Sequence, residues 1–334
     1  MPNILIVGEY WNEDDEEKRR SFSGAAGGIL SGLLSQSGIE LAAHSRTVVF
    51  PARPPSGRFD GWLTKDRALA IPGYGPFTRG NYVPAHLAPH IAAFWRTVET
   101  AKPNVILALG NVALWALTGR TGIDKQRGSP TLSKSGDYKV ICTWAPSSII
   151  KQWELRPIVF MDFCKAKAES ESPRLARPSR TIRLSPSLPD IEDFYERHIV
   201  PAPFLAVDIE TKSGQITEIG FATSPKAALV IPFWDRKRGS YWPTLTDELA
   251  AWEWVRRILR EKDTVGQNYQ YDMQYLYAKY GIPSPRFVGD TMLLSHALQP
   301  ELKKSLGFLG SIYTNEPSWK FMRTDHTTLK QGDD

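Results

Sequence analysis

The clearest hydrophobic and polar pattern in the chain lies at Phe204 to Thr211, which reads Phe-Leu-Ala-Val-Asp-Ile-Glu-Thr. Residues two apart on a strand share a face. The alternation therefore predicts a strand that buries Leu205, Val207 and Ile209 and sets Asp208 and Glu210 side by side on the opposite face. Two adjacent carboxylates repel, and a divalent cation with oxygen ligands is one way to hold them together. A solvated strand face is the other reading of the same pair. Gln215 to Thr223 and Ala227 to Phe233 continue as two more strands, and Leu245 to Leu259 has helical spacing. Asn268 and Asp272 stand four apart at the start of a further helix ending near Tyr280, so that spacing predicts one shared face. Three strands followed by helices predict an α/β domain opened by a meander.

The first half alternates differently. Ile4 to Val7 is a short apolar run, the form of a buried parallel strand, and Thr47 to Phe50, Val105 to Leu109 and Val140 to Thr143 read as further strands. Helical spacing lies between them at Ile29 to Leu34, His86 to Ala101, Val112 to Leu117 and Pro157 to Ala168. This predicts a three-layer α/β/α domain over residues 1–170. The glycines at 24, 27 and 28 do not make a dinucleotide-binding loop, because the acidic stretch Asn12 to Glu17 separates them from the first strand and would repel a pyrophosphate. Residues 171–189, rich in Ser, Pro and Arg, read as a linker, and residues 190–334 as the second domain.

Composition narrows the classes. A chain of 334 residues fits two domains, and 42% hydrophobic residues with 11 Trp, 12 Tyr and 14 Phe exclude a disordered tail. The net charge of +5 is compatible with a polyanionic partner without requiring one. Two cysteines, Cys142 and Cys164, are too few for a disulfide framework, a four-cysteine zinc site or a four-cysteine iron–sulfur cluster. No apolar run reaches membrane-spanning length and no secretory leader is recognisable, so the expected location is cytoplasmic, with no membrane partner.

The order of loops in the first half resembles the uracil-DNA glycosylase superfamily, closest to its family 4 branch. The resemblance runs through Gly8-Glu9-Tyr10-Trp11, Ser21 to Gly27, Arg53-Pro-Pro, Pro103 to Gly110, Arg127-Gly128 and Ala145-Pro146-Ser147. It implies a pocket for a flipped base formed by Glu9, Tyr10, Phe22, Val48 and Ala145, with Phe22 as the stacking ring. Departures fall on the chemistry. Val48 or Thr47 stands where the family has Asn, Ala145 replaces the loop His, Tyr10 narrows the pocket, and the family's cluster cysteines are missing. An alanine methyl cannot donate to a developing anion. The resemblance then implies a DNA-facing shape that has lost base excision, with Arg53, Arg127 and Lys151 as phosphate contacts; solvated surface is the competing reading of those three. A divergent glycosylase in which Glu9 positions a water stays open.

The second half resembles a DnaQ-type 3′-to-5′ exonuclease of the four-carboxylate class, an RNase H-like fold, in the version attached to family A DNA polymerases. Val207 to Thr211 matches its first motif and Asn268 to Asp272 its second, followed by Asp290-Thr-Met-Leu and Ser305-Leu-Gly-Phe-Leu. The resemblance implies two Mg²⁺ or Mn²⁺ ions on Asp208, Glu210 and Asp272, and DNA contacts at Asn268, Lys304 and Ser305. Its third motif is not found, since His326 lies at the wrong spacing from Asp333. The expectation is therefore a fragment of a larger replication protein with weak or no nuclease activity. The fusion resembles bacteriophage polymerases, which implies host cytoplasm, single-stranded 3′ ends as substrate, and a polymerase domain or other replication proteins as partners. A binding module that turns nothing over is the third reading.

Overall fold

The computed structural model describes residues 3–318. They fall into two compact units: one runs to Ala176 and takes in the chain again from Gly307, the other spans Arg177–Leu306.

The first unit contains β1 (Ile4–Tyr10), α1 (Glu13–Lys18), α2 (Ala25–Gln36), β2 (Ser45–Phe50), α3 (Ala88–Ala101), β3 (Val105–Leu109), α4 (Asn111–Thr118), α5 (Ile123–Gln126), β4 (Thr131–Leu132), β5 (Lys139–Thr143), α6 (Pro146–Lys151) and α7 (Arg156–Glu169). The sheet runs β2-β1-β3-β5-β4. Its first four strands are parallel and β4 is antiparallel to β5. Every residue of β3 and β5 is buried, as expected when helices cover both faces of a parallel sheet. The long connection after β2 is held by short 3-10 turns and isolated bridges such as Thr64 to Tyr82. Its Phe59, Ile71 and Phe77 are buried, so it packs onto this unit.

The acidic stretch forms a helix. Asn12 Oδ1 accepts from Asp15 N at 2.8 Å and the Asp15 carboxylate accepts from Asn12 N at 3.4 Å, a capping box that starts α1. Four acids in the first turn also suit the positive end of the helix dipole.

The second unit contains β6 (Thr181–Arg183), α8 (Leu188–Phe194), β7 (Leu205–Lys212), β8 (Gln215–Ser224), β9 (Ala227–Pro232), the small hairpin β10 (Trp234–Asp235) and β11 (Gly239–Ser240), α9 (Leu245–Glu261), β12 (Thr264–Gly266), α10 (Tyr269–Tyr280), β13 (Phe287–Asp290) and α11 (Thr291–Leu298). Its sheet runs β13-β12-β7-β8-β9-β6. β7, β8 and β9 form the antiparallel meander, and β12 and β13 add in parallel beyond β7. Burial in β7 alternates along its first six residues, with Leu205, Val207 and Ile209 packed against Ile219, Phe221, Val255 and Leu276. One side of this sheet is a core; the other carries Asp208 and Glu210.

Two boundaries differ from the sequence reading. The supposed linker holds β6, which pairs in parallel with β9 through Thr181 to Ala227, Ile182 to Ala228 and Arg183 to Leu229. Three exposed residues bounded by Ser and Pro give no periodic signal to read. The described chain then ends its helices with α12 (Leu306–Tyr313), whose residues from Gly307 count with the first unit. Phe308, Leu309 and Ile312 are buried and Ser311 accepts from Arg127, which accounts for that placement. His326 and Asp333 lie outside the described residues.

Candidate functional site

Two separate constellations carry chemistry, one in each unit. In the first unit, Glu9, Tyr10, Phe22, Val48 and Ala145 line one cavity of about 270 Å³, together with Lys151, Asn12 and Asp15. Its walls come from the carboxyl ends of β1, β2 and β3 and from the turn after β5, the edge at which open parallel sheets bind ligands.

Phe22 sits at φ 62°, a conformation that costs a non-glycine residue energy and is kept only where the surroundings enforce it. Two glycines seat it. A Cβ on Gly27 would lie 1.9 Å from the Phe22 carbonyl oxygen, and one on Gly8 would lie 2.8 Å from the ring. Tyr10 stacks on Phe59 with ring centroids 5.8 Å apart, so its phenol is a fixed wall of the cavity.

Glu9 does something the sequence did not reveal. Its Oε1 accepts from Val112 N at 2.9 Å, placing the carboxyl at the start of α4. Gly110 makes the approach possible: a Cβ there would lie 2.3 Å from the Glu9 carboxyl carbon. Burial pushes the carboxyl from 4.5 up to about 7, against the pull of the Val112 and Asn111 amides. Between those two values the unfolded chain has lost a proton that the folded chain keeps, so stability falls as pH rises from about 4.5 to 7 and is flat above. The fall is up to about 3 kcal/mol, an upper limit because Glu9 still borders the cavity. Glu9→Gln keeps an oxygen for Val112 and cannot ionise; thermal melts from pH 4 to 8 should lose this fall, whereas curves parallel to those of the parent protein would contradict it.

The phosphate contacts separate. Lys151 is exposed at the end of α6 and borders the cavity. Arg53 pairs with Glu13 at 3.4 Å in a half-exposed position. Arg127 must be corrected: it is 1% exposed, its guanidinium forks onto both oxygens of Asp162, and Nη1 donates to Ser311 Oγ at 2.7 Å. No phosphate reaches it.

In the second unit, Asp208 and Glu210 stand on the open face of β7, and Asp272 comes to the same strand from α10. Asp272 Oδ1 accepts from Ile209 N at 2.9 Å. Burial, then the carboxylates of Asp208 and Asp290, push Asp272 up to about 6 against that amide. Glu218 lies directly across from Glu210 in the β7–β8 register, and burial with the charges of Glu210 and Asp208 raises it too. Like charges opposite each other destabilise a ladder, so this face gathers negative charge at a cost to the fold. Beside Asp208 an apolar cavity of about 270 Å³ is lined by Ala206, Gly220, Ala222, Val230 and Gly266.

Asn268 lies outside the helix. It takes φ 56° as the cap of α10, and its N–H donates to Asp290 Oδ1 at 3.1 Å, so the shared helical face with Asp272 does not form. Lys304 is also turned inward: its ammonium donates to the carbonyls of Gln299 at 3.0 Å, Pro300 at 2.5 Å and Leu302, which leaves it poorly placed for a phosphate. Ser305 is exposed. Glu218 and Asp290 went unremarked as site residues. The period-2 pattern of β8 and the Asp-Thr cap of α11 were the signals that could have found them.

The donors on β7 and α10 are hard carboxylate oxygens, the chemistry that Mg²⁺ and Mn²⁺ take. Among the described residues, no group of three or more His, Cys, Asp or Glu is gathered around one point to hold a metal ion. Magnesium is commonly held by one or two carboxylates with waters and substrate phosphates, and the donors here fit that mode rather than a closed protein cage. Also among the described residues, no helix is long and apolar enough to cross a membrane.

Comparison with known proteins bears on the two units unequally. Crystal structures of the EXD2 exonuclease domain share a local likeness. One soaked in Mn and GMP has 14% identity and a TM-score of 0.28, covering 41% of this chain and 70% of that one. Another is 18% identical with a TM-score of 0.26, covering 45% and 79%. For the first unit, the type-4 uracil-DNA glycosylase of Thermotoga maritima is 33% identical over 169 residues, 49% of this chain and 76% of the relative. The family model of the uracil DNA glycosylase superfamily matches residues 1–169. With the parallel sheet and a cavity at its carboxyl edge, that match makes the chain a member of the uracil-DNA glycosylase superfamily.

Proposed function

We propose that the protein processes DNA, the second unit hydrolysing the terminal phosphodiester of 3′ ends with divalent cations and the first unit binding DNA. The observation that carries the hydrolytic part is the face of β7: Asp208 and Glu210 project from it, and Asp272 is fastened to the same strand through Ile209 N. Fold destabilisation of this kind is retained where charge has work to do. Asp208 and Glu210 would hold the cation and Asp272 would support it. A cation bound there supplies Lewis acidity toward the phosphodiester oxygens and makes water acidic enough to attack near neutral pH. The protein's share is to fix the carboxylates, and the apolar cavity beside Asp208 offers the terminal nucleoside a dry seat. The test is a Mn²⁺ titration followed by electron paramagnetic resonance. Binding that weakens by more than about tenfold in Asp208→Ala supports the reading, since even indirect contacts to a metal ligand matter on that scale; equal binding in both proteins contradicts it.

A second reading is favoured by the cavity at Tyr10 and Phe22, together with family membership: excision of a base. The side chains around it offer little to an excised base anion, because Val48 and Ala145 have no donor and Glu9 Oε1 is taken by Val112 N. Uracil-containing DNA incubated in EDTA and then treated with alkali separates the two. Strand breaks at uracil establish the glycosylase, and intact strands leave the first unit as a DNA-binding module.

A further inference from the structure

Away from the carboxylates, the second unit has a cleft of about 820 Å³, near the upper end of the range for small-ligand clefts. It opens around the β7–β8 turn and the β10–β11 hairpin, with Lys212, Gly214, Trp234, Trp252, Lys279 and Tyr280 on its walls. One wall is a stack of rings. Phe233 and Trp252 have centroids 3.7 Å apart at 13° and Trp252 and Tyr280 4.4 Å apart at 24°. The Tyr280 hydroxyl is fixed by the N–H of Ile216 at 2.9 Å. Opposite, Trp234 is 38% exposed, and the Lys212 ammonium lies 4.0 Å from its ring centroid.

The charge around these rings is of one dominant sign. Lys212 and Lys279 line the cleft, and the turn of the β10–β11 hairpin carries the exposed Arg236, Lys237 and Arg238. Asp235 accepts from the amides of Lys237 and Arg238 and pairs with the Arg238 guanidinium at 3.7 Å, which leaves Arg236 and Lys237 as the cations of that turn, and Glu248 accepts from Ser240 Oγ at 3.1 Å. Nothing in the proposed hydrolysis uses this surface.

We infer that this cleft is a binding groove for single-stranded DNA. Cations beside an exposed indole ring, here Trp234, are the combination that tracks a phosphate backbone while a base stacks, without reading sequence. Trp234 is the stacking platform, and Lys212, which now covers its face, turns to a phosphate when a base takes its place. Lys212 is two residues along β7 from Glu210, so a strand lying in the groove passes close to the carboxylate face.

The experiment measures binding of fluorescein-labelled oligo(dT) to the whole chain in EDTA, where metal-dependent hydrolysis cannot occur; its outcome is thus independent of the nuclease reading. Trp234→Ala should weaken binding about tenfold, the loss of one stacked base. Lys212→Ala with Lys279→Ala should flatten the dependence of log K on log salt by about 1.4, or 0.7 per lysine on a single strand. Should Trp234→Ala misfold by circular dichroism, the two lysines, both exposed, decide alone. Unchanged affinity and slope, equal losses on blunt duplex DNA, or tighter binding of oligo(rU) than oligo(dT) would each overturn the assignment.

Discussion

Arg127→Ala is expected to destabilise the first unit by about 3–5 kcal/mol, the usual loss when one partner of a buried ion pair is removed. In a unit of this size that lowers its thermal midpoint by roughly 10 °C. The size follows from what is left behind. Asp162 is fully buried and receives Arg127 Nε at 2.8 Å, Arg127 Nη2, and Thr143 Oγ1 at 2.6 Å. Burial already drives its carboxyl upward, and Arg127, Thr143 and the nearby Lys165 oppose that. The same guanidinium holds Ser311 of α12, and Lys165 Nζ donates to the Ser311 and Thr314 carbonyls at 2.5 Å each. Losing Arg127 therefore loosens α12 as well. Gly128 is part of the same fit, since at φ +69° a Cβ would stand 2.5 Å from Asp162 Oδ1. Arg127→Met combined with Asp162→Leu should recover most of the loss, because no charge is then stranded. Calorimetry of the three proteins checks both figures. If Arg127→Ala melted like the parent protein and only bound DNA less tightly, the buried pair would not have the weight given to it.

The second large effect is expected at Asp208→Ala, and it reaches both activity and the neighbouring carboxylates. Hydrolysis of 3′ ends should fall by more than about 100-fold, beyond what loss of an indirect contact to a metal ligand costs. In the absence of metal the same substitution should bring Asp272 and Glu218 back toward the ordinary carboxylate range, because Asp208 raises both by repulsion. A pH titration of these two carboxylates in EDTA supplies the second readout.

The parts of the structure that were legible in the sequence are those with a short repeat. Leu205, Val207 and Ile209 alternate with Asp208 and Glu210, and that alternation is how β7 sits in the sheet. The apolar run of β3 likewise marked a strand, whereas the buried Lys139 and Thr143 at the ends of β5 carry no such signal. The five residues expected around a base all line one cavity, because the loops that carry them end parallel strands at the same edge.

What was not legible depends on partners distant in the chain. Arg127 reads as a surface cation because arginines are mostly exposed; its burial is decided by Asp162, 35 residues on, and Ser311, 184 residues on. Lys304 is turned inward by the carbonyls of the turn that follows α11, a demand of the backbone that its own side chain does not disclose. Glu9 looked available to position a water and instead meets the first amides of α4, a contact that needs Gly110 a hundred residues away. β6 is defined by its neighbour β9 rather than by any pattern of its own.

The measurement that tests the central claim most directly follows 3′-labelled and 5′-labelled single-stranded DNA with Mn²⁺, with EDTA, and with the Asp208→Ala protein. Slow loss of the 3′ label with stepwise shortening of the 5′-labelled strand, present only with Mn²⁺ and absent in Asp208→Ala, is the predicted result, its slowness following from the third motif that is not found in this sequence. Shortening that survives Asp208→Ala, or strands that stay intact under all three conditions, would contradict hydrolysis at the carboxylate face of β7.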